Sequence, residues 1–402
     1  MLRTILIGLG ALVVVAAVAI GITLYVTRAP DPGAFYEPPG GSEDAAPGTL
    51  LRDEPFTAGI PDGATAWRIL YSTTGMDGRP VAVSGLVIAG AAARAWPGPR
   101  PVLAWAHGTI GVARGCATSL LDDPSVALAK PMDRILEQGW VVVATDYPGL
   151  GGPGAHPYLA GEETGRAVID SVRAARALDT GVELDARYAV WGESQGGHAA
   201  LWTGQVATAG HAPELTLVGV GAAAPASDLG PMLTAALGTT PGKVLTALAV
   251  SSWTTVYPEL DFDAAVVRRA RAPIRAIARR CLFPGFFVVA AQAGLLPARL
   301  LAVDITTDPA WKRRVAENTP TGPIDAPVLL AQGVNDPLVS PAAQARYVAA
   351  RCAAGEDIDF RRHPRGHVDI MESAGPELVA WTSRLFAGAP VAAGCATAGD
   401  RP

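Results

Sequence analysis

One short motif holds a serine in a setting suited to nucleophilic attack. Gly192-Glu193-Ser194-Gln195-Gly196 follows the pattern G-x-S-x-G, between an apolar run that predicts a strand and one that predicts a helix. A glycine on each side leaves room for a sharp turn that presents the hydroxyl at the end of a sheet. The motif also occurs in glycine-rich structural turns, but the strand–turn–helix context favours Ser194 as a nucleophile.

A serine hydroxyl needs a base that accepts its proton, and two histidines are candidates. Of the six histidines, only His363 and His367 lie beyond a late predicted strand. His367 follows Gly366 in a loop before the last predicted helix, so its ring can reach over the edge of the sheet. His363 stands at the end of the strand and is followed directly by a proline. We therefore predict His367 as the base, with His363 as the alternative.

Asp336 is the predicted carboxylate that orients this base. It follows the strand predicted at Val328–Ala331, and open α/β sheets place their ligands at that carboxyl edge. The order serine, acid, histidine along the chain also matches a known arrangement of such residues. Asp325 precedes the strand and Asp304 lies in another segment, whereas Asp146 ends an earlier strand and ranks a distant second. Asp336 could also be a simple turn residue, because a proline follows it.

Two backbone amides are predicted to receive the negative charge that develops on a carbonyl oxygen. One belongs to Gln195, the residue after the nucleophile, and the other to Thr109 in the loop His107-Gly108-Thr109. We interpret His107 as a brace for that loop. Because the base and these amides would supply what a Lewis acid supplies, we expect neither a metal nor another cofactor.

Predicted strands and helices alternate around these residues. An antiparallel pair of strands opens the globular part, at Ala66–Thr73 and Pro80–Ala89. Further strands are predicted at Pro101–Ala106, Trp140–Thr145, Tyr188–Gly192, Leu215–Ala223, Pro327–Gln332 and Ile358–His363. Helices are predicted at Val126–Gln138, Gly165–Leu178, Gly196–Val206, Pro341–Cys352 and Pro376–Phe386. The alternation predicts an α/β fold, in which a mostly parallel sheet is flanked by helices.

One segment interrupts the alternation and divides the chain. Residues 229–320 hold apolar helical segments and no strand, so we interpret them as an inserted helical cap. The alternative is that these helices only thicken the core. The core would comprise residues 56–228 and 321–390, and residues 391–402 would form a C-terminal tail. The cap side chains expected to line an acyl pocket are Phe283, Phe286, Phe287 and Leu295.

The N-terminal residues predict export. Ile5 to Val26 form an apolar run that is long enough to cross a bilayer, and Arg3 precedes it. We favour an uncleaved membrane anchor over residues 1–28 with the globular part outside, followed by a Pro- and Gly-rich linker over residues 29–55. The alternative is a signal peptide cleaved after Ala17-Val18-Ala19, which would release a secreted protein.

Cysteine spacing and charge exclude two classes of function. Cys116, Cys281, Cys352 and Cys395 form no CxxC motif, which argues against a zinc site. In an exported protein they predict two disulfides with three possible pairings, and buried free thiols are the alternative. The formal net charge is −5 and no basic run is present, which argues against nucleic-acid binding.

Together these residues resemble those of the secretory lipase family, the lipase A type of α/β-hydrolase. The similarity spans about Phe35 to Phe386. Its motifs are Phe35-Tyr36-Glu37-Pro38-Pro39, Pro47-Gly48-Thr49-Leu50-Leu51-Arg52, His107-Gly108-Thr109, the turn around Ser194, Gln332-Gly333 through Asp336, and Gly366-His367. The resemblance implies the α/β-hydrolase fold, esterase or triacylglycerol lipase activity at a lipid–water interface, and no cofactor. It also implies the disulfides Cys116–Cys281 and Cys352–Cys395. Glu193 and the N-terminal anchor depart from the family pattern.

Three other functions stay open at the level of sequence. An acyltransferase would use the same three residues but pass the acyl group to an alcohol rather than to water. A non-catalytic lipid-binding protein would keep the fold, although it would have no use for serine, acid and histidine together. A peptidase of the same fold is a third possibility, against which the apolar cap argues.

Overall fold

The computed structural model describes residues 28–395, except residues 96–97, 236–237, 284 and 392–393. Its centre is a single nine-stranded sheet. The strands are β1 (Leu50–Phe56), β2 (Thr65–Thr74), β3 (Pro80–Ala89), β4 (Arg100–Ala106), β5 (Val141–Thr145), β6 (Leu184–Glu193), β7 (Thr216–Ala223), β8 (Val328–Gly333) and β9 (Ile358–His363). Their order across the sheet is β1-β2-β3-β5-β4-β6-β7-β8-β9.

The sheet begins antiparallel and becomes parallel. β1, β2, β3 and β5 pair antiparallel in that order, and β2 pairs with β3 from Thr65 opposite Ala89 to Thr74 opposite Pro80. All pairs from β5 to β9 are parallel. The carboxyl ends of β4, β6, β8 and β9 therefore share one edge, where the loops that follow them meet. The predicted α/β fold with a mostly parallel sheet is confirmed.

Helices cover both faces of the sheet. The helices described are α1 (Ala91–Ala95), α2 (Met132–Glu137), α3 (Gly161–Ala177), α4 (Gln195–Thr208), α5 (Leu229–Ala235), α6 (Thr240–Val256), α7 (Phe262–Ala265), α8 (Arg268–Ala278), α9 (Phe286–Gly294), α10 (Pro309–Asn318), α11 (Pro341–Ala353) and α12 (Ile370–Phe386). Side chains of β4 alternate between two buried clusters, with Val102 and Ala104 on the face of α3 and α4. Leu103 and Trp105 pack on the other face, with α2 and α12. This alternation explains why the central strands are apolar throughout.

The helices α5 to α10 form a separate layer between β7 and β8. They occupy residues 229–318 and pack around a third buried cluster, which includes Leu248, Trp253 and Ile274. Tyr158 and Leu159 from the loop after β5 also belong to this cluster, so the layer is seated on the core through that loop. We call this layer the cap.

The segment from Ala29 to Pro55 is packed on the core, in contrast to the free linker that its composition predicts. Tyr36 is buried, and its hydroxyl lies 2.9 Å from the Ser119 hydroxyl. Arg52 donates to the carbonyl oxygens of Ala34 and Phe35, both at 2.8 Å. The end of the segment forms β1, whose charged residues and proline are typical of an edge strand and obscure the strand pattern.

The helix boundaries differ from the prediction where prolines are involved. α2 begins only after Pro131, so the helix predicted over Val126–Gln138 is reduced to its second half. A single turn of 3₁₀ helix at Pro124–Val126 replaces part of the rest. In contrast, α12 begins at Ile370 and continues through Pro376, which sits in the second turn of the helix.

Both disulfides implied by the family resemblance are present. Cys116 pairs with Cys281 and joins the loop after β4 to the cap. Cys352 pairs with Cys395 and joins the end of α11 to the C-terminal segment. Among the described residues no helix combines the length and apolar character needed to span a bilayer. The anchor predicted over residues 1–28 lies outside the described residues except for Arg28, as does most of the predicted tail.

Candidate active site

Ser194 stands at a strained turn between β6 and α4. Its backbone φ and ψ are 57° and −117°, in a region that residues with a Cβ rarely occupy. The turn requires both flanking glycines. A Cβ on Gly192 would lie 2.0 Å from the carbonyl oxygen of Gly196, and a Cβ on Gly196 would lie 1.9 Å from that of Ala106. The turn is also fixed by the Ser194 amide, which donates to the Ala223 carbonyl at 2.9 Å.

The structure brings His367 and Asp336 to Ser194 in a continuous chain of hydrogen bonds. His367 Nε2 lies 2.8 Å from Ser194 Oγ, and His367 Nδ1 lies 2.8 Å from Asp336 Oδ2. His367 and Asp336 are both buried. A carboxylate oxygen can only accept, so Nδ1 carries the proton and Nε2 is free to accept from the serine hydroxyl. This arrangement can remove the proton of Ser194 as its oxygen attacks.

The loop after β8 holds Asp336 as an ionised acceptor. Its Oδ1 accepts from the amides of Leu338 and Val339, both at 2.8 Å, and Gln332 Nε2 donates to Oδ2 at 3.0 Å. Burial by itself would raise the pKa of Asp336. The hydrogen bond and charge of His367, with the two amides, outweigh burial and lower this pKa below its ordinary value.

The alternative acids and base lie elsewhere. Asp146 is fully buried and accepts from the Ser84 hydroxyl at 2.6 Å, from the Ser119 amide at 3.0 Å and from the Ser119 hydroxyl. These bonds join β3 to the loops that follow β4 and β5. Asp304 and Asp325 lie in the cap and before β8, away from the loops that hold Ser194 and His367. His363 Nε2 is 4.0 Å from Glu377, and burial lowers the pKa of His363.

The two amides predicted to stabilise an oxyanion stand at loops that meet near the nucleophile. Gln195 is the first residue of α4, and Thr109 follows β4. Among the described residues, no acceptor is found for either amide hydrogen. The Thr109 hydroxyl is fixed 2.8 Å from the Tyr158 hydroxyl. His107 is buried and lies 2.7 Å from the Gly108 carbonyl through Nδ1, which fits its interpretation as a loop brace.

The side chain of Gln195 has a partner that sequence reasoning missed. His156 Nδ1 lies 2.9 Å from the Pro148 carbonyl and so donates to it, which leaves Nε2 to accept from Gln195 Nε2 at 3.1 Å. Burial lowers the pKa of His156 to about 3, so its ring is neutral. His156 lies 39 positions before Gln195 in the sequence, and no motif surrounds it that would have marked it.

Glu193 introduces a further charge beside the nucleophile. Burial raises the pKa of Glu193, whereas the nearby charges of His367 and Lys130 lower it less strongly. The carboxyl group therefore gains a proton at a higher pH than an exposed glutamate does.

The apolar cap residues expected to line a pocket are on the surface instead. Phe287 is 84% exposed, Leu295 79%, Phe286 54% and Phe283 38%. Their spacing marks an apolar helix face, but it does not indicate whether protein or solvent covers that face. Within the part of the chain that the structure describes, no group of three or more His, Cys, Asp or Glu side chains is placed to hold a metal ion.

Comparison with known proteins gives a consistent result. The model of the family described as secretory lipase matches residues 129–394. The chain is 28% identical to lipase A of Arthroderma benhamiae over 405 residues, which cover 92% of this chain and 82% of the relative. It is also 28% identical, over 395 residues, to a Mycobacterium tuberculosis protein named probable inactive lipase MT1628, with 90% of this chain and 83% of the relative covered.

Solved structures show the same fold. The X-ray structure of Candida antarctica lipase A superposes with a TM-score of 0.73 at 21% identity, covering 91% of this chain and 88% of that one. A rice cell wall degrading esterase, LipA from Xanthomonas oryzae, superposes with a TM-score of 0.69 at 22% identity. The superposition covers 86% of this chain and 100% of that one.

Proposed function

This chain belongs to the secretory lipase family, and we propose that it hydrolyses carboxylic esters through a covalent intermediate on Ser194. The family membership makes it a serine hydrolase of the lipase type. The observation that carries the finer proposal is the chain of two 2.8 Å contacts from Ser194 Oγ through His367 to Asp336. We further propose triacylglycerols or related lipid esters as the substrate class, in line with the family and its named relatives.

The first half of the reaction forms the acyl-enzyme. Ser194 Oγ bonds to the ester carbonyl carbon while His367 Nε2 takes the hydroxyl proton. The carbonyl π electrons move onto oxygen, which accepts hydrogen bonds from the amides of Gln195 and Thr109. When the carbonyl re-forms, the bond to the alcohol oxygen breaks and His367 gives its proton to the leaving alkoxide. Asp336 holds the ring and stabilises its positive charge throughout.

The second half repeats these steps with water. His367 takes a proton from a water molecule while the water oxygen bonds to the acyl carbon. The same two amides donate hydrogen bonds to the oxyanion that forms. Breaking the bond to Ser194 Oγ releases the carboxylic acid, and His367 returns the proton to the serine. The lowered pKa of Asp336 keeps its carboxylate ionised through this cycle at neutral pH.

The relative named as a probable inactive lipase makes a direct test necessary. We propose a series of chromogenic esters with acyl chains from acetate to palmitate, together with an emulsified triacylglycerol. Ser194→Ala should reduce kcat by at least about a thousandfold, because the nucleophile is lost. Ser383→Ala is the matched control, since that half-buried hydroxyl lies in α12 and contacts only the Val379 carbonyl, at 2.8 Å, and Gln138 Oε1, at 3.1 Å, among the described residues.

A serine-directed organophosphonate provides a second readout. It should add once, and peptide mapping should place it on Ser194. A folded Ser194→Ala enzyme with the wild-type rate would disprove the proposed nucleophile. Activity that survives in His367→Ala but not in His363→Ala would transfer the role of base to His363.

The family and the two disulfides fit a secreted protein. Attachment to a membrane through residues 5–26 stays a prediction from the sequence. Fractionation of cells that produce a tagged chain tests it, because quantitative release of a shortened protein into the medium would reject the anchor.

A further inference from the structure

The cap concentrates positive charge that ester hydrolysis does not use. Residues 264–303 contain seven arginines and no aspartate or glutamate, although the formal net charge of the chain is −5. Six of the seven lie in α8 or directly after it. Such a run cannot be explained by composition alone, because acidic residues outnumber basic ones in the whole chain.

α8 turns its apolar side inward and arginines outward. Ile274 and Ile277 are buried, whereas Arg268, Arg275 and Arg279 are exposed. Positions 268, 275 and 279 are seven and four residues apart, so they follow one face of the helix. These arginines therefore form a positively charged stripe along the surface of the cap.

One nearby carboxylate offsets part of this charge. Asp263 pairs with Arg275 at 3.0 Å and with Arg271 at 3.4 Å, so a single negative group serves two arginines. The stripe keeps a net positive charge after this pairing.

The neighbouring helix α9 presents apolar side chains to solvent. α9 contains no charged residue and packs on both α6 and α8. Phe286, Phe287 and Leu295, at the two ends of α9, are all more than half exposed. Large apolar side chains exposed together usually mark a surface that meets a partner.

The N-terminal end of the described chain lies at the same place. The Ala29 amide lies 3.4 Å from the Arg279 carbonyl, and Arg28 is near enough to act electrostatically on Arg280. The apolar run from Ile5 to Val26 directly precedes these residues in the sequence. Whatever binds that run would therefore be held beside the end of α8.

We propose that six exposed residues in or next to α8 and α9 dock on an anionic lipid bilayer. We call them the arginine–aromatic face: Arg268, Arg275, Arg279, Phe286, Phe287 and Leu295. Phe286, Phe287 and Leu295 would enter the boundary between headgroups and acyl chains, and the arginines would contact the phosphates. A second copy of this chain is a poorer occupant, because a symmetric dimer would place the arginine stripe against itself. Docking does not depend on the chemistry proposed for Ser194.

Vesicle binding of the full chain tests this proposal. Ser194→Ala serves as the background, so that lipid is not hydrolysed during the measurement. Partition coefficients are measured for phosphatidylcholine vesicles and for vesicles that contain about a third phosphatidylglycerol, at low and at high salt. The ratio of the two coefficients cancels any contribution of residues 5–26 that does not depend on headgroup charge. We expect a ratio well above one that falls as salt rises.

Substitutions locate the contact on the molecule. Arg268→Gln with Arg279→Gln should lower binding to anionic vesicles about thirtyfold at low salt, at about fivefold for each arginine near the surface. Arg187→Gln with Arg384→Gln is the matched control, because it removes the same charge from exposed arginines at the opposite edge of the sheet. Phe287→Ser should weaken binding to both vesicle types by about tenfold.

Two results would overturn the proposal. One is a ratio near one for the parent chain, and the other is an equal loss in the two double variants. Hydrolysis of a water-soluble ester, measured with Ser194 restored, shows that each variant is folded. That assay also separates the two proposals, because a chain that binds anionic vesicles but hydrolyses no ester contradicts the function and leaves docking intact. If the double variant does not fold, Arg268→Gln alone should still give the fivefold loss.

Discussion

His198 offers a quantitative test of how the cap is joined to the core. It lies in the first turn of α4, is fully buried, and donates from Nε2 to the Asn318 carbonyl at 2.7 Å. Asn318 is the last residue of α10 and also accepts from the Gly161 amide at 2.9 Å. His198 Nδ1 is buried and finds no hydrogen-bond partner among the described residues. A second proton on this ring would therefore have no acceptor, and folding favours the neutral form.

The size of the effect follows from the pKa. Burial lowers the pKa of His198 from its ordinary 6.5 to about 4, although the hydrogen bond to Asn318 acts in the other direction. Because the folded state binds this proton less readily than the unfolded state, the stabilisation is complete above pH 6.5. It is lost as the pH falls from 6.5 towards 4, at about 1.4 kcal/mol per pH unit and about 3 kcal/mol in all.

His198→Gln is the informative change, because a neutral amide can still donate to the Asn318 carbonyl. The assay is equilibrium unfolding in urea at pH 7.5 and pH 5.0 with the disulfides intact. The variant should be less stable than the wild type at pH 7.5, and the difference should shrink by about 2 kcal/mol at pH 5.0. Burial also lowers the pKa of His156, so the variant should still lose some stability in acid.

Asn318→Ala is the control for packing. It removes the side-chain hydrogen bonds to the Gly161 amide, the Tyr257 hydroxyl and the Arg314 carbonyl but keeps the backbone carbonyl that His198 uses. Its cost should therefore be the same at both pH values. A difference between wild type and His198→Gln that does not change with pH would refute the argument. It would mean that His198 is protonated as easily in the folded chain as in the unfolded one.

Three further predictions concern the site. Glu193→Gln should lower kcat several-fold, because it removes a buried carboxyl group that interacts electrostatically with His367; an unchanged kcat would contradict this. His156→Ala should lower kcat about tenfold with little change in KM, since the Gln195 side chain loses its partner, and an equal rise in KM would argue against it. Gly196→Ala should abolish activity or folding, because its Cβ would lie 1.9 Å from a carbonyl oxygen of β4. Soluble yield and the rate with a water-soluble ester test this, and wild-type values of both would contradict the tight turn described for Ser194.

The strands and the motif residues were the features most readily predicted from the sequence. β3 and β9 have the bounds that the sequence predicts, and for β3 the reason is an apolar run of the length that a buried strand requires. The Ser194 turn could be recognised because its geometry demands glycines at fixed positions. Asp336 and His367 could be placed because the carboxyl ends of parallel strands meet at one edge, which brings together loops that are distant in sequence.

Features that depend on tertiary packing could not be predicted in the same way. Tyr36 is buried within a Pro-rich segment, with its hydroxyl 2.9 Å from that of the distant Ser119, and composition carries no trace of that contact. The helix α12 tolerates Pro376 in its second turn, although the same residue in isolation predicts a helix start. Phe287 belongs to an apolar pattern that is equally compatible with a covered and an exposed helix face.

The two disulfides divide the covalent chain into unequal parts. A single backbone cut between Cys116 and Cys281, or between Cys352 and Cys395, would leave one bonded molecule, because a disulfide spans each stretch. All four cysteines are used in these bonds, so residues 282–351 are the sole covalent path between Ser194 and His367. A protease that cuts this stretch before β8 would produce two fragments, each with part of the site. Non-covalent contacts would hold them together, among them the β7–β8 pairing and the 2.9 Å hydrogen bond from Trp191 Nε1 to the Thr382 hydroxyl in α12. The protein is thus suited to split-enzyme complementation, with β7 and β8 as the pairing strands across the junction.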